Sequence, residues 1–313
     1  MDWTDRVGKR LRLRDLHILL TVAKSGSMGK AAAELAISQP SVSKAIAEVE
    51  HAIGLRLLDR GPSGVQPTIY GHALLKCGVA VFDELQQGVK QLEFLIDPAA
   101  GELRIGCTET MAAGFATAVL HRLSRQYPRV VFQLVPGDRD TLLSRELRQR
   151  TIELAVAPTM GLSPEGDTEI EILFDDQFVV MAGSRTKWIR RRKLVLADLL
   201  NELWVLPPPE SLPGQYIAQA FRTSGFEPPR AHVVSFSIPL HYHLLATGRY
   251  ITMLPRSMLR FGKHTPLKLL PVKSPAGAYP IGILALRNRT LSPLAQLFIT
   301  CAREVAKQLE KPY

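Results

Sequence analysis

The chain has 313 residues, room for two or three domains, with 46% hydrophobic and 22% charged residues, the balance of a protein that buries ordinary cores. No apolar run is long enough to span a bilayer, and the charged opening "MDWTDRVGKRLRLRDLHILL" does not read as a secretory signal, so a cytoplasmic protein with no membrane partner is expected. The net charge of +10 favours an acidic partner, yet residues 1–97 hold 12 Lys and Arg against 11 Asp and Glu, so basicity alone does not assign DNA binding to the N-terminal part.

Leu16, Leu19, Leu20 and Ala23 fall at i, i+3, i+4 and i+7, which predicts an amphipathic helix over about Leu13 to Lys24, stopped by Gly26. Ser27 is placed to cap a second helix, Met28 to about Leu35, whose Ala31 and Ala32 permit close packing. After a short turn, Ser38 caps a third helix from Gln39 to about Ala52. Pro40 stands in the first turn of that helix, where its missing N–H costs nothing. Val42, Ile46 and Val49 form the buried stripe. Gln39, Ser41, Ser43, Lys44 and Ala47 lie outward or near its edges, a set of amides, hydroxyls and one cation suited to base edges and phosphates in a major groove. A small helical bundle with a polar surface would show the same spacing. The stretch "GLRLLDRGPSGVQPT", residues 54–68, tips the balance, because it reads as a β-hairpin wing with Arg60 as a phosphate contact.

From "LRDLHILLTVAKSGSMGKAAAELAISQPSVSKAIAEVEHAIGLRLLDR" through "GVQPTIYG" the sequence closely resembles the LysR-type transcriptional regulators. That resemblance implies an N-terminal winged helix-turn-helix, mainly α with a β-wing, over residues 1–68. Its helix-turn-helix would run from about Met28 to Ala47. Gln39, Pro40, Ser43 and Lys44 would be at DNA-contact positions, with Ser41 beside them and Arg60 in the wing. Departures from the family pattern are Leu58 for phenylalanine, Ser63 and Gln66 where basic residues are common, and Pro67 for leucine.

Thr68 can cap a long linker helix over Ile69–Ile96, about 42 Å at 1.5 Å per residue. Leu74, Val81, Leu85, Leu92 and Leu95 make a coiled-coil seam, with Gly78 and Gly88 at the remaining seam positions, where they would let a second helix approach. Such a half-apolar helix needs a cover, either its own domain or a second copy; the homodimer is the preferred reading, so residues 69–97 read as a dimerisation helix and hinge. Family resemblance supports a homodimer and often a homotetramer.

Beyond residue 98, apolar strands ("LRIGC", "VVFQLV", "IELAVA", "FVVMAG", "WVLPP", "HVVSF", "YITML", "IGILAL") alternate with amphipathic helices. The expectation is a C-terminal α/β domain with parallel sheets covered on both faces. A helix is expected before Trp204 and another near the end, about Pro293 to Leu309. By resemblance this is the two-lobed, periplasmic-binding-protein-like effector domain. Lobe I would cover about 98–176 and 272–313, lobe II about 177–271. The cleft between lobes would hold a small-molecule co-inducer, with no other cofactor.

Thr108, Glu109 and Thr110 follow the first strand and open a helix, where free N–H groups favour an anion. In the family, hydroxyls at this turn commonly hold an effector carboxylate. Glu109 departs from that, and is expected either to turn outward or to bond a polyol or amine. Asp138, Pro158, Thr159, Pro207 and Phe236 are further candidates by their strand-end positions. The "HYH" at 241–243 reads as helix surface and "RTKWIRRRK" at 185–193 as a solvated basic loop. Cys77, Cys107 and Cys301 read as reduced thiols, for no metal or redox spacing is present. The expectation is a transcription regulator, not an enzyme, bound to double-stranded promoter DNA, to itself, to a small effector and to RNA polymerase. A DNA-anchored enzyme, a solute-binding protein and a regulator indifferent to small molecules are the other readings.

Overall fold

The computed structural model describes residues 10–61, 64–163, 166–261, 267–273 and 276–309; Ser63 of the wing lies outside them. The chain forms two compact units, Met1–Val89 and Lys90–Tyr313.

In the first unit, α1 (Leu13–Ser25) ends where Gly26 turns left-handed and its N–H reaches the Val22 carbonyl. Ser27 accepts from Lys30 N to start α2 (Met28–Glu34). Ser38 accepts from Ser41 N to start α3 (Gln39–Ile53), with Pro40 in the first turn. Ile18, Leu19 and Val22 of α1, Ala31 and Ala32 of α2, and Val42, Ala45, Ile46 and Val49 of α3 make one core. On α1 the buried stripe lies further round than the expected Leu20 and Ala23, both only half-buried, because Ile18 and Val22 join Leu19 in that core. The hairpin β1 (Leu58–Gly61) and β2 (Gly64–Pro67) pairs Arg60 with Val65. Its root is fixed twice: Val65 N donates to the Gly26 carbonyl, and Glu50 Oε1 accepts from Leu57 N and Leu58 N.

Helix α4 (Ile69–Ile96) begins where the Thr68 hydroxyl accepts from Gly71 N. Gly78 corrects a sequence expectation. A Cβ there would press on Leu16 and Leu20 of α1, so this glycine admits a helix of its own unit rather than a second copy. Leu74 likewise packs at home. Val81, Leu85, Leu92 and Leu95 remain exposed.

In the second unit β3 (Ala100–Cys107) runs parallel to β4 (Arg129–Pro136) and β5 (Leu154–Pro158). Between β3 and β4 the chain forms α5 (Glu109–Met111), a π-helical segment (Ala112–Ala116) and α6 (Thr117–Gln126). After β4, α7 (Arg139–Thr141) runs into a second π segment, Leu142–Leu147. The long β6 (Thr168–Gly183) follows. Next come β7 (Leu203–Leu206), α8 (Leu212–Thr223), β8 (Ala231–Val234), α9 (Ile238–Ala246), β9 (Tyr250–Pro255), α10 (Ser257–Phe261), β10 (Leu267–Leu269), β11 (Ala278–Leu286) and α11 (Pro293–Ala306). The strand order is β4-β3-β5-β11-β6-β9-β7-β8, with β10 also on β6.

The sheets are mixed, not parallel. β11 runs antiparallel to β5 and β6, and β6 antiparallel to β9 and β10. The reversed strands are those at which the chain passes between lobes. β6 pairs with β11 as far as Gln177 and with β9 from Phe178. The helix expected before Trp204 is instead two 3₁₀ turns, Lys187–Arg190 and Leu196–Leu199; the cationic run 190–193 between them repels itself and stays exposed.

At Gly183, where β6 ends, an added Cβ would collide with the Leu245 carbonyl of α9. Gly183→Ala should therefore destabilise the second unit by about 3 kcal/mol, read as a lowered urea midpoint at unchanged slope; an unchanged midpoint would contradict that packing.

Candidate functional site

In the first unit, capping and core packing leave one side of α3 in the open. Gln39, Pro40, Ser41 and Lys44 are exposed and Ser43 is half-buried. The Lys44 ammonium lies 3.9 Å from Glu48, a loose surface pair. The Ser41 hydroxyl is 2.8 Å from that of Ser38, so it is engaged with the cap. Arg60 is exposed on β1. The arrangement is a short capped helix with a polar face, beside a hairpin bearing an exposed cation.

In the second unit, a cavity of about 640 Å³ opens where strands end and helices begin. Thr108, Glu109 and Thr110 after β3, Asp138 after β4, Pro158 at the end of β5, Pro207 after β7 and Phe236 after β8 all line it. Thr159 does not. It is buried, and its N–H and hydroxyl both point to the Pro280 carbonyl on β11, because strand alternation turns it away from Pro158. Sequence reasoning missed Phe178 and Tyr279, which stack with centroids 5.0 Å apart on the two crossing strands. It also missed Arg139, Ser211 and His241.

The charged lining groups are mostly engaged. Asp138 caps α7, accepting from Thr141 N at 2.9 Å and the Thr141 hydroxyl at 2.7 Å. That hydroxyl holds the Asp138 carboxyl below its usual range. Arg139 donates to Asp140 at 3.0 Å and to the Met160 carbonyl at 2.5 Å. Glu109 reaches across the cleft: its Oε1 accepts from Ile238 N, the first amide of α9, at 2.8 Å. It thus neither turns to solvent nor is left idle. Thr108 Oγ1 is buried with no hydrogen-bond partner among the described residues, and its side chain does not cap its helix.

His241 overturns the surface reading of "HYH". It is 2% exposed, with Nε2 donating to the Ser235 carbonyl and Nδ1 3.1 Å from the Thr252 hydroxyl, while His243 is exposed. Burial pushes the His241 imidazole below its usual range, opposed by the Ser235 carbonyl and the Glu109 carboxylate. Burial also pushes the Cys107 thiol up to about 12, removing it as a nucleophile. Among the described residues no cluster of three or more His, Cys, Asp or Glu could hold a metal, and no helix is long and apolar enough to cross a membrane.

Residues 13–72 match the family model for the bacterial regulatory helix-turn-helix protein, lysR family, and residues 97–307 match the LysR substrate binding domain. The chain belongs to the LysR family of transcriptional regulators. It is a DNA-binding regulator with a substrate-binding domain, and its relatives are regulators rather than enzymes. It is 25% identical over 310 residues to the HTH-type transcriptional regulator GbpR of Azospirillum brasilense, covering 97% of this chain and 90% of that one. It is also 25% identical over 305 residues to the transcriptional dual regulator GltC of Bacillus subtilis (strain 168), covering 96% and 99%. Among solved structures it resembles CbnR, a LysR family transcriptional regulator, with a TM-score of 0.61, 20% identity and coverage of 95% and 99%. A full-length OxyR variant from Pseudomonas aeruginosa gives a TM-score of 0.63 at 19% identity, covering 94% and 98%. These structural likenesses establish the LysR-type fold.

The buried imidazole gives this LysR-type regulator a specific acid sensitivity. His241 has a depressed folded-state pKa, so the unfolded chain binds its proton first. The stability it supports is present above about pH 6.5 and is lost as pH falls from there towards the folded value. Thermal denaturation from pH 7.5 to 5 should show the second unit losing stability, and His241→Asn should flatten that loss; an equally steep loss in the variant would contradict the assignment.

Proposed function

We propose that two copies of this regulator bind promoter DNA with paired α3 helices in successive major grooves, and that a small molecule in the cleft of each second unit changes how the copies are arranged. The open polar face of α3 from Gln39 to Lys44 carries this reading. Gln39 and Ser43 read base edges, Pro40 and Ser41 set the helix against the backbone, and Lys44 and Arg60 contact phosphates. The exposed seam of Val81, Leu85, Leu92 and Leu95 supports dimerisation, since a half-apolar helix leaves that stripe wet without a partner. Pairs of dimers and contact with RNA polymerase extend the same reading.

Thr108, Glu109, Thr110, Asp138, Pro158, Pro207 and Phe236 are the proposed effector surface, and the size of the cavity fits a small metabolite. An effector acts by binding one arrangement of lobes more tightly than another; it needs no chemistry. One structural neighbour, full-length CbnR, is complexed with its target DNA, which supports the DNA-bound form.

DNA fragments enriched from genomic DNA by the purified protein test the DNA reading by fluorescence anisotropy. Gln39→Ala and Ser43→Ala should each weaken specific binding by about 1–3 kcal/mol, with circular dichroism unchanged. Unaltered affinity in both would contradict the base-reading role. Leu85→Asp with Leu92→Asp should convert the dimer to monomer in analytical ultracentrifugation; a retained dimer would contradict the seam.

A further inference from the structure

We infer that Glu109 is a built-in anion occupying the cleft's own anion seat, so that the cleft selects a ligand rich in hydrogen-bond donors, an alcohol or an ammonium with an apolar face, and rejects carboxylates. The inference rests on reading the cleft as the effector site.

Three observations carry it. The first is occupancy. A helix N-terminus that opens on a cavity attracts an anion through its free amides and dipole. Here the opening amide of α9, Ile238 N, is taken at 2.8 Å by Glu109 from the opposite lobe. The N-terminus of α7 is satisfied by the Asp138 carboxylate, and that of α8 by the Ser211 hydroxyl, which accepts from Gly214 N at 3.2 Å; α5 has no side-chain cap, but its first residue is Glu109, whose charge opposes a ligand anion at that turn too. A ligand carboxylate reaching α9 would have to displace a carboxylate that the chain itself supplies.

The second is charge. Glu109, Asp138, Asp140 and Glu210 line the cavity against one guanidinium, Arg139, which already bonds Asp140 and the Met160 carbonyl. His241 adds no free donor, because both ring nitrogens are engaged and burial disfavours its charged form. The charged lining is thus net negative. Glu109 is half-buried on the cavity lining, and with Oε1 on Ile238 N its second carboxylate oxygen is available as an acceptor. The third is shape. Exposed Phe236, with half-buried Pro158, Met160, Pro207 and Leu212, presents an apolar wall on which a ring or hydrocarbon skeleton can lie while its hydroxyl or ammonium meets Glu109; the stacked Phe178 and Tyr279 back it from the core.

The test is isothermal titration of the full-length protein with matched sets that share a skeleton and differ in one group: benzyl alcohol, benzylamine and benzoate; cyclohexanol, cyclohexylamine and cyclohexanecarboxylate; glucose, glucosamine and gluconate. The wild type should bind alcohol or amine members in at least one set and prefer them to the acid by about tenfold or more. Glu109→Ala, which empties the seat, should weaken the amine and strengthen the acid, shifting that preference by about tenfold or more. Glu109→Gln keeps the shape and an acceptor for Ile238 N–H, and should retain the alcohol while losing the preference for the amine; it is the control should Glu109→Ala prove unstable. Wild type binding the acids best, or an acid-to-amine ratio that moves less than about threefold in both variants, would overturn the role of Glu109 and leave the cleft standing as an effector site. No binding of any member by any of the three proteins would overturn the effector reading itself and this inference with it.

Discussion

One strand belongs to both lobes of the second unit, and the rest of the site follows from that. β6 runs 16 residues from Thr168 to Gly183, spending its first part against β11 and its last against β9. A continuous strand joins the two sheets, and packing of the first π segment on α10, where Phe115 meets Phe261, adds to the join. Beyond that join, the lobes also meet at the cleft mouth. Glu109 to Ile238 N is the charge-assisted bond across it. Such bonds contribute about 1.5–3 kcal/mol, a range in which a ligand of modest differential affinity can shift the balance of open and closed forms.

Local chemistry explains why that contact forms. Ser-x-Pro starts α3, α8 and α9, as Ser38-Gln39-Pro40, Ser211-Leu212-Pro213 and Ser237-Ile238-Pro239. In each the serine hydroxyl satisfies the amide three residues on, and proline sits where a donor is surplus. The device leaves the N1 amide of each helix unspent. On α9 that amide points into the cleft, and Glu109 fills it. The same cap on α3 pins the first turn of the DNA-facing helix and leaves Gln39 and Lys44 outward.

Much of this was legible in the sequence because it is local. Caps, terminating glycines and the stripe Val42, Ile46 and Val49 fixed the three N-terminal helices to within a residue or two, and strand-end position picked out seven residues that line the cavity. What escaped depends on distant partners. Residues Thr168 to Gln177 alternate poorly and carry acids, so they did not read as a strand; they form one because β11 returns antiparallel alongside them. Phe178, Tyr279 and His241 come to one cavity only through β6, β11 and α9, which are distant in the chain. Thr159 differs from Pro158 by one step of alternation, which turns it into the core. Gly78 fitted a dimer seam by spacing, but α1 had already claimed its open side.

Hydrogen–deuterium exchange of the segment containing Ile238 tests most directly whether Glu109 bridges the lobes. If it does, the Ile238 amide is slow to exchange in the wild type and exchanges much faster in Glu109→Ala, while the core amides of β9 are unchanged. Equal exchange at Ile238 in the two proteins would mean that the carboxylate does not hold that helix end, and the electrostatic account of the cleft would fail.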